Sequence, residues 1–71
     1  MAELTRRQQE ARRARADKAA RDIFDGLDAR ERGELGDALV LGDFDWRDYV
    51  DDPVPGLGSA LWRLVRTWEA A

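Results

Sequence analysis

The sequence predicts an all-α protein, a small bundle of three main helices plus one short helix, with the long N-terminal helix projecting as a basic arm. Three observations predict it. Strong helix formers (Ala, Arg, Gln, Glu) dominate residues 1–25 with no Gly or Pro among them. Apolar residues further along recur at helical rather than alternating spacing. Gly, Pro and Asp collect at 26–28, 42–45 and 51–58, where they punctuate the pattern.

The first helix is expected from about Glu3 to Asp25. At 100° per residue, Ala16, Ala19, Ala20, Ile23, Phe24 and Leu27 share one broad face, as a packed helix requires. Before Ala16 the same face carries Thr5, Gln9, Arg12 and Arg13, while Leu4, Ala11 and Ala14 lie opposite. The second half should dock and the first half project. Opposite charges four apart (Glu3–Arg7, Arg6–Glu10, Arg13–Asp17, Asp17–Arg21, Arg21–Asp25) would each add only ~0.2–0.5 kcal/mol, enough together to limit fraying.

Gly26 ends this helix, and Asp28 with Glu31 three residues later reads as a capping box for the next. That helix, about Ala29 to Leu41, puts Leu35, Ala38 and Leu39 on one face and stops at Gly42. Gly33 and Gly36 weaken it by up to ~1 kcal/mol each, unless they mark close approach of another helix. Asp45 caps a short third helix, Trp46 to Asp51, with Phe44 and Tyr49 as a hydrophobic staple and Trp46, Tyr49 and Val50 on one face. Pro53 limits it, because the residue before a proline avoids helix. Ser59 is the expected cap of the last helix, with a start as early as Pro55 the alternative. Leu57, Leu61, Leu64, Val65 and Trp68 form its stripe, and Trp62 falls on the flank. The expected core is therefore Ile23, Phe24, Leu27, Leu35, Leu39, Trp46, Tyr49, Val50, Leu57, Leu61, Leu64, Val65 and Trp68.

Charge and grease are partitioned along the chain. Residues 1–21 hold seven basic and three acidic groups, whereas residues 22–71 hold five and twelve. All but Met1 and Leu4 of the twenty apolar side chains larger than Ala lie after residue 21. The division is thus a basic helical arm, 1–21, continuous with the first helix of an acidic, aromatic-rich bundle, 22–71. Ordering so short a chain costs about what its burial contributes, so self-association or a partner protein is expected.

With no His and no Cys, the usual metal ligands, the thiol nucleophile, the imidazole base and disulfides are excluded. Ser59, Thr5, Thr67 and Tyr49 have no histidine to activate them, and Lys18 lies in the solvated arm. No enzyme, cofactor or metal is expected. The acidic run 43–52 fails the calcium-loop pattern, since Arg47 stands at the fifth position and no glycine follows. It reads as solvated carboxylates around a core Trp46, Tyr49 and Val50, or as an acidic surface for a basic partner. No apolar run approaches the ~18 residues of a membrane span, so no membrane is expected and the location is taken as cytoplasmic. Eleven Arg against one Lys, eleven Ala and no Asn match GC-rich coding sequence, of a cell or its phage.

Candidate partner-binding residues are Arg6, Arg7, Arg12, Arg13 and Arg15 on the arm, Trp62 with Arg63 and Arg66, and Val40 with Leu41, which lie off the buried face of their helix. Trp and Arg are favoured at interface hot spots. The leading expectation is a non-catalytic protein-binding module such as a regulator, inhibitor or adaptor. The alternatives are nucleic-acid association through the arm, opposed by cations spread around the helix and interrupted by acids, and an assembly subunit, as in a phage particle.

Overall fold

The computed structural model describes residues 5–71, and every statement of structure below concerns those residues. Three helices, α1 (Arg6–Asp25), α2 (Ala29–Leu41) and α3 (Leu57–Ala70), pack together, and a single turn of 3-10 helix (Trp46–Asp48) lies between the last two. Ala16 of α1 lies beside Gly56 at the start of α3, and Phe24 meets Trp68 near its end, so α1 and α3 run parallel. Gly36 of α2 faces Val65 and Glu69, while Phe44, just past α2, faces Gly58, so α2 runs antiparallel to α3. The described residues measure 41 × 25 × 20 Å, and α1 is the long element, about 30 Å from end to end at the usual helical rise.

The helix limits follow from local chemistry. Thr5 is extended and caps α1: its Oγ1 accepts from the Gln8 amide, while Gln8 Oε1 accepts from the Thr5 amide. This reciprocal cap starts α1 at Arg6 rather than near Glu3, a position outside the described residues, as are Met1 and Leu4. Asp28 and Glu31 form the expected capping box on α2 at 2.8 and 3.1 Å, and Gly42 closes it in the left-handed region at φ 80°. The third helix is shorter than its pattern predicts. Asp45 Oδ1 caps it by accepting from the Arg47 amide, but the Tyr49 and Val50 amides both return to the Trp46 carbonyl, which closes the turn at once. The Phe44 and Tyr49 rings stack at 5.7 Å, as the staple requires.

Ser59 does not cap α3. The Leu57 amide donates to the Val54 carbonyl at 3.1 Å, and Gly56 sits at φ 82°, ψ 5°. Pro55 and Gly56 thus fill the two central places of a type II turn, the second of which needs a positive φ and so favours glycine. The turn delivers the chain into α3 at Leu57, two residues before Ser59 and two after Pro55.

Small residues share the deepest positions with larger aliphatic ones. Ala16, Ala20, Ala60 and Gly36 are buried together with Phe24, Leu35, Leu57, Leu61 and Val65. Of the expected core, Ile23, Leu27, Leu39, Trp46, Tyr49, Val50, Leu64 and Trp68 are only half-buried, packed around this centre. Alanine and glycine let the helices approach around Leu35, Leu57, Leu61 and Val65, while Trp68, Ile23 and the other half-buried side chains wrap this centre. Gly36 shows the closeness: a Cβ there would stand 3.0 Å from Val65 Cγ1. Gly33 shows no such contact, since a Cβ there would meet open space.

Arg32 fastens one end of the bundle. Its Nε donates to the Phe24 carbonyl at 3.2 Å, and its guanidinium lies 4.2 Å from the Phe24 ring centre and 5.9 Å from that of Trp68. One side chain of α2 thereby satisfies a C-terminal carbonyl of α1 and stacks on rings from α1 and α3.

Candidate interaction surface

No residue of α1 before Ala16 is buried, so the first half of the helix stands clear of the hydrophobic cluster. Its charges are less neutralised than the four-residue spacing suggests. Arg6 meets Glu10 at 3.4 Å, and Lys18 meets Asp22 at 3.1 Å. The expected pairs Arg13–Asp17, Asp17–Arg21 and Arg21–Asp25 do not form, and Glu3–Arg7 lies outside the described residues. Asp17 turns instead to α3, where its Oδ1 accepts from Arg63 Nη2 at 2.7 Å. Among the described residues, Arg7, Arg12, Arg13 and Arg15 have no carboxylate within salt-bridge distance.

The face of α1 that docks in its second half continues past the end of α3 as Gln9, Arg12 and Arg13. Because α3 begins only at Leu57, these residues overhang the Pro55 turn. The result is an open groove of about 450 Å³, with Ala16 and Pro55 as apolar lining and Arg12, Arg13 and Arg63 as cationic lining. A second depression of about 360 Å³ adjoins it, sharing Arg12 and Pro55 and adding Ala11 and Arg15. The candidate residues Arg12, Arg13 and Arg63 thus line one groove and Arg15 the depression beside it, while Arg6 and Arg7 line neither.

The remaining candidates form two further groups. Trp62 is half-buried at the edge of α3, with the Arg66 guanidinium 6.0 Å from its ring centre. Val40 and Leu41 are 67% and 72% exposed, unusual for large apolar side chains.

In the acidic run, Asp45 serves as a cap and lies 4.0 Å from Arg47, whose guanidinium sits 5.5 Å from the Trp46 ring centre. Asp43, Asp48, Asp51 and Asp52 are exposed without ion-pair partners among the described residues. Among those residues no group of three carboxylates is placed to hold a metal ion. Ser59 is exposed, and Thr67 Oγ1 donates to the Arg63 carbonyl at 3.0 Å.

Tyr49 titrates abnormally. Burial pushes its hydroxyl above the ordinary value, and the negative charges of Asp48, Glu34 and Glu31 add to the effect. The folded protein therefore holds the phenolic proton to higher pH than the unfolded chain does. Stability from this group is intact below the unfolded value of about 10 and falls as pH climbs through the folded value. Tyr49 is the single tyrosine, so near-ultraviolet titration of phenolate reports on it alone. The midpoint of the native protein should lie above that of the urea-unfolded chain, and coincident midpoints would contradict the burial.

Sequence reasoning missed two of these features. The Asp17–Arg63 bond joins residues 46 apart, and no local spacing marks it. The Thr5-x-x-Gln8 cap was legible as a Thr followed three residues later by Gln, ahead of an arginine-rich helix. Comparison of the chain with protein-family models, with curated proteins and with solved structures gives no match. Among the described residues no helix is long and apolar enough to cross a membrane.

Proposed function

We propose that this protein is a non-catalytic binding module, a regulator, inhibitor or adaptor that engages a partner protein bearing acidic groups. One observation carries the reading. The first half of α1 is a capped, ordered helix whose side chains are all exposed, and four of its five arginines lack a carboxylate partner among the described residues. Guanidinium groups in this state have five donors available for bidentate bonds to carboxylates. An ordered helix presents them without the entropy that a flexible tail would lose on binding. Trp62 beside Arg66 supplies a second contact of the kind that dominates interface energies. The setting we assign is the cytoplasm.

The same arginines, without carboxylate partners among the described residues, favour a second reading, association with nucleic acid through phosphate contacts. Affinity would then fall steeply as salt rises, with a slope set by the number of phosphates neutralised.

Affinity capture from lysate of the native host, with and without nuclease, separates the two. Removal of residues 1–15, and separately Trp62→Ala, should weaken capture of a protein partner while helical circular dichroism of the bundle persists. If neither change alters what is captured, the arm and Trp62 are not the contact surface. If nuclease abolishes capture, the nucleic-acid reading replaces the first.

A further inference from the structure

We propose that the groove between the first half of α1 and the Pro55 turn receives the C-terminal end of α2 from a second copy of this chain, with Leu41 seated in the groove and the neighbouring carboxylates on its arginines. The groove has the two chemistries such an occupant needs. Ala16 and Pro55 give it apolar lining, and Arg12, Arg13 and Arg63 give it positive charge; among the described residues Arg63 alone of these is paired, with Asp17. The end of α2 offers the complement. Val40 and Leu41 are the large apolar side chains left most open to water among the described residues. Asp37, one helical turn before Leu41, and Asp43, two residues after it, are exposed and without ion-pair partners there.

Charge favours this pairing along the whole chain, because residues 1–21 carry a net +4 and residues 22–71 a net −7. Each copy is the other's electrostatic complement. Leu41 does not occupy the groove of its own molecule, being 72% exposed.

Geometry favours a closed pair over an open chain. Ala16 beside Gly56 and Phe44 beside Gly58 place the groove and the end of α2 at the same end of the bundle. Two copies meeting there about a two-fold axis make both contacts at once, each groove filled by the other's Leu41. The exposed apolar pair on each copy is then covered, and no free groove remains for a third. The outward side of the arm, with Arg7, and the Trp62 edge stay available, so a foreign partner is compatible with the dimer.

Sedimentation velocity of the full-length chain over a hundredfold range of concentration tests this directly. A reversible dimer is expected. Leu41→Arg places a cation against the arginines and should weaken dimerisation about tenfold or more, as like charges at an interface do. Leu41 is exposed, so circular dichroism of this variant should match the parent. Asp43→Arg and Arg13→Asp should each weaken the dimer, and the two combined should restore part of it. A monomer at every concentration would overturn the proposal, as would open-ended polymer growth, a dimer indifferent to Leu41→Arg, or a combined charge exchange no tighter than its single members. Leu41→Arg and Asp43→Arg leave the arm and Trp62 untouched, so loss of the dimer in these two leaves the partner-binding reading standing, and loss of capture in Trp62→Ala leaves the dimer standing.

Discussion

Leu61→Ala should leave much of the protein unfolded at room temperature. Leu61 is fully buried in α3, the helix against which both α1 and α2 pack. Removing its isobutyl group forfeits burial and opens a cavity, at a typical cost of ~2–5 kcal/mol. A domain of this length holds only about 3–5 kcal/mol of net stability, so the loss is comparable to the whole. Leu61→Met keeps the volume and should cost less than about 1.5 kcal/mol. Urea unfolding followed by circular dichroism distinguishes them. An Ala variant within about 1 kcal/mol of the parent would mean that α3 is not the spine of the bundle.

Gly36→Val and Gly33→Ala should move stability in opposite directions, although both glycines lie in α2 only three positions apart. At Gly36 even a Cβ would stand 3.0 Å from Val65 Cγ1. Val65 is fully buried and β-branched, with essentially one χ1 rotamer open to it in a helix, so it has nowhere to turn. Overfilling such a site costs ~1–3 kcal/mol. That outweighs the gain in helix propensity, which is under ~1 kcal/mol for a β-branched residue over glycine. At Gly33 nothing opposes the added methyl, and Ala should stabilise by ~0.5–1 kcal/mol through a less permissive unfolded chain. Thermal or urea unfolding of the two variants supplies the test, and the same sign for both would contradict the close packing at Gly36.

The two glycines also show how far the sequence can be read. A glycine pair inside an amphipathic helix signals close approach, but only the third dimension says which one is approached. Periodicity located the faces of all three helices, and Asp28, Asp45 and Gly42 were legible as caps because capping chemistry is local. Ser59 was misleading for the same reason. As a good cap ahead of an apolar stripe it looked sufficient, yet the Pro55–Gly56 turn starts the helix first. Core depth was the least legible property. Hydrophobicity ranks Trp68 and Ile23 above Ala20, whereas the interior of three close helices admits Ala20 and leaves the larger side chains half outside. For the candidate surface, Val40 and Leu41 were placed on the exposed side of α2 by periodicity alone. The gathering of Arg12, Arg13, Arg15 and Arg63 depended on where α3 begins, and the exchange of Asp17 from its neighbours to Arg63 on a partner helix.

The Phe44–Tyr49 stack ties the fold to alkali through a single ring. Burial makes ionisation of this phenol unfavourable, and the carboxylates of Asp48, Glu34 and Glu31 oppose it further. Raising the pH therefore favours the unfolded chain, in which the same hydroxyl gives up its proton more readily, so a contact between two carbon rings carries an acidic proton into the balance between folded and unfolded states.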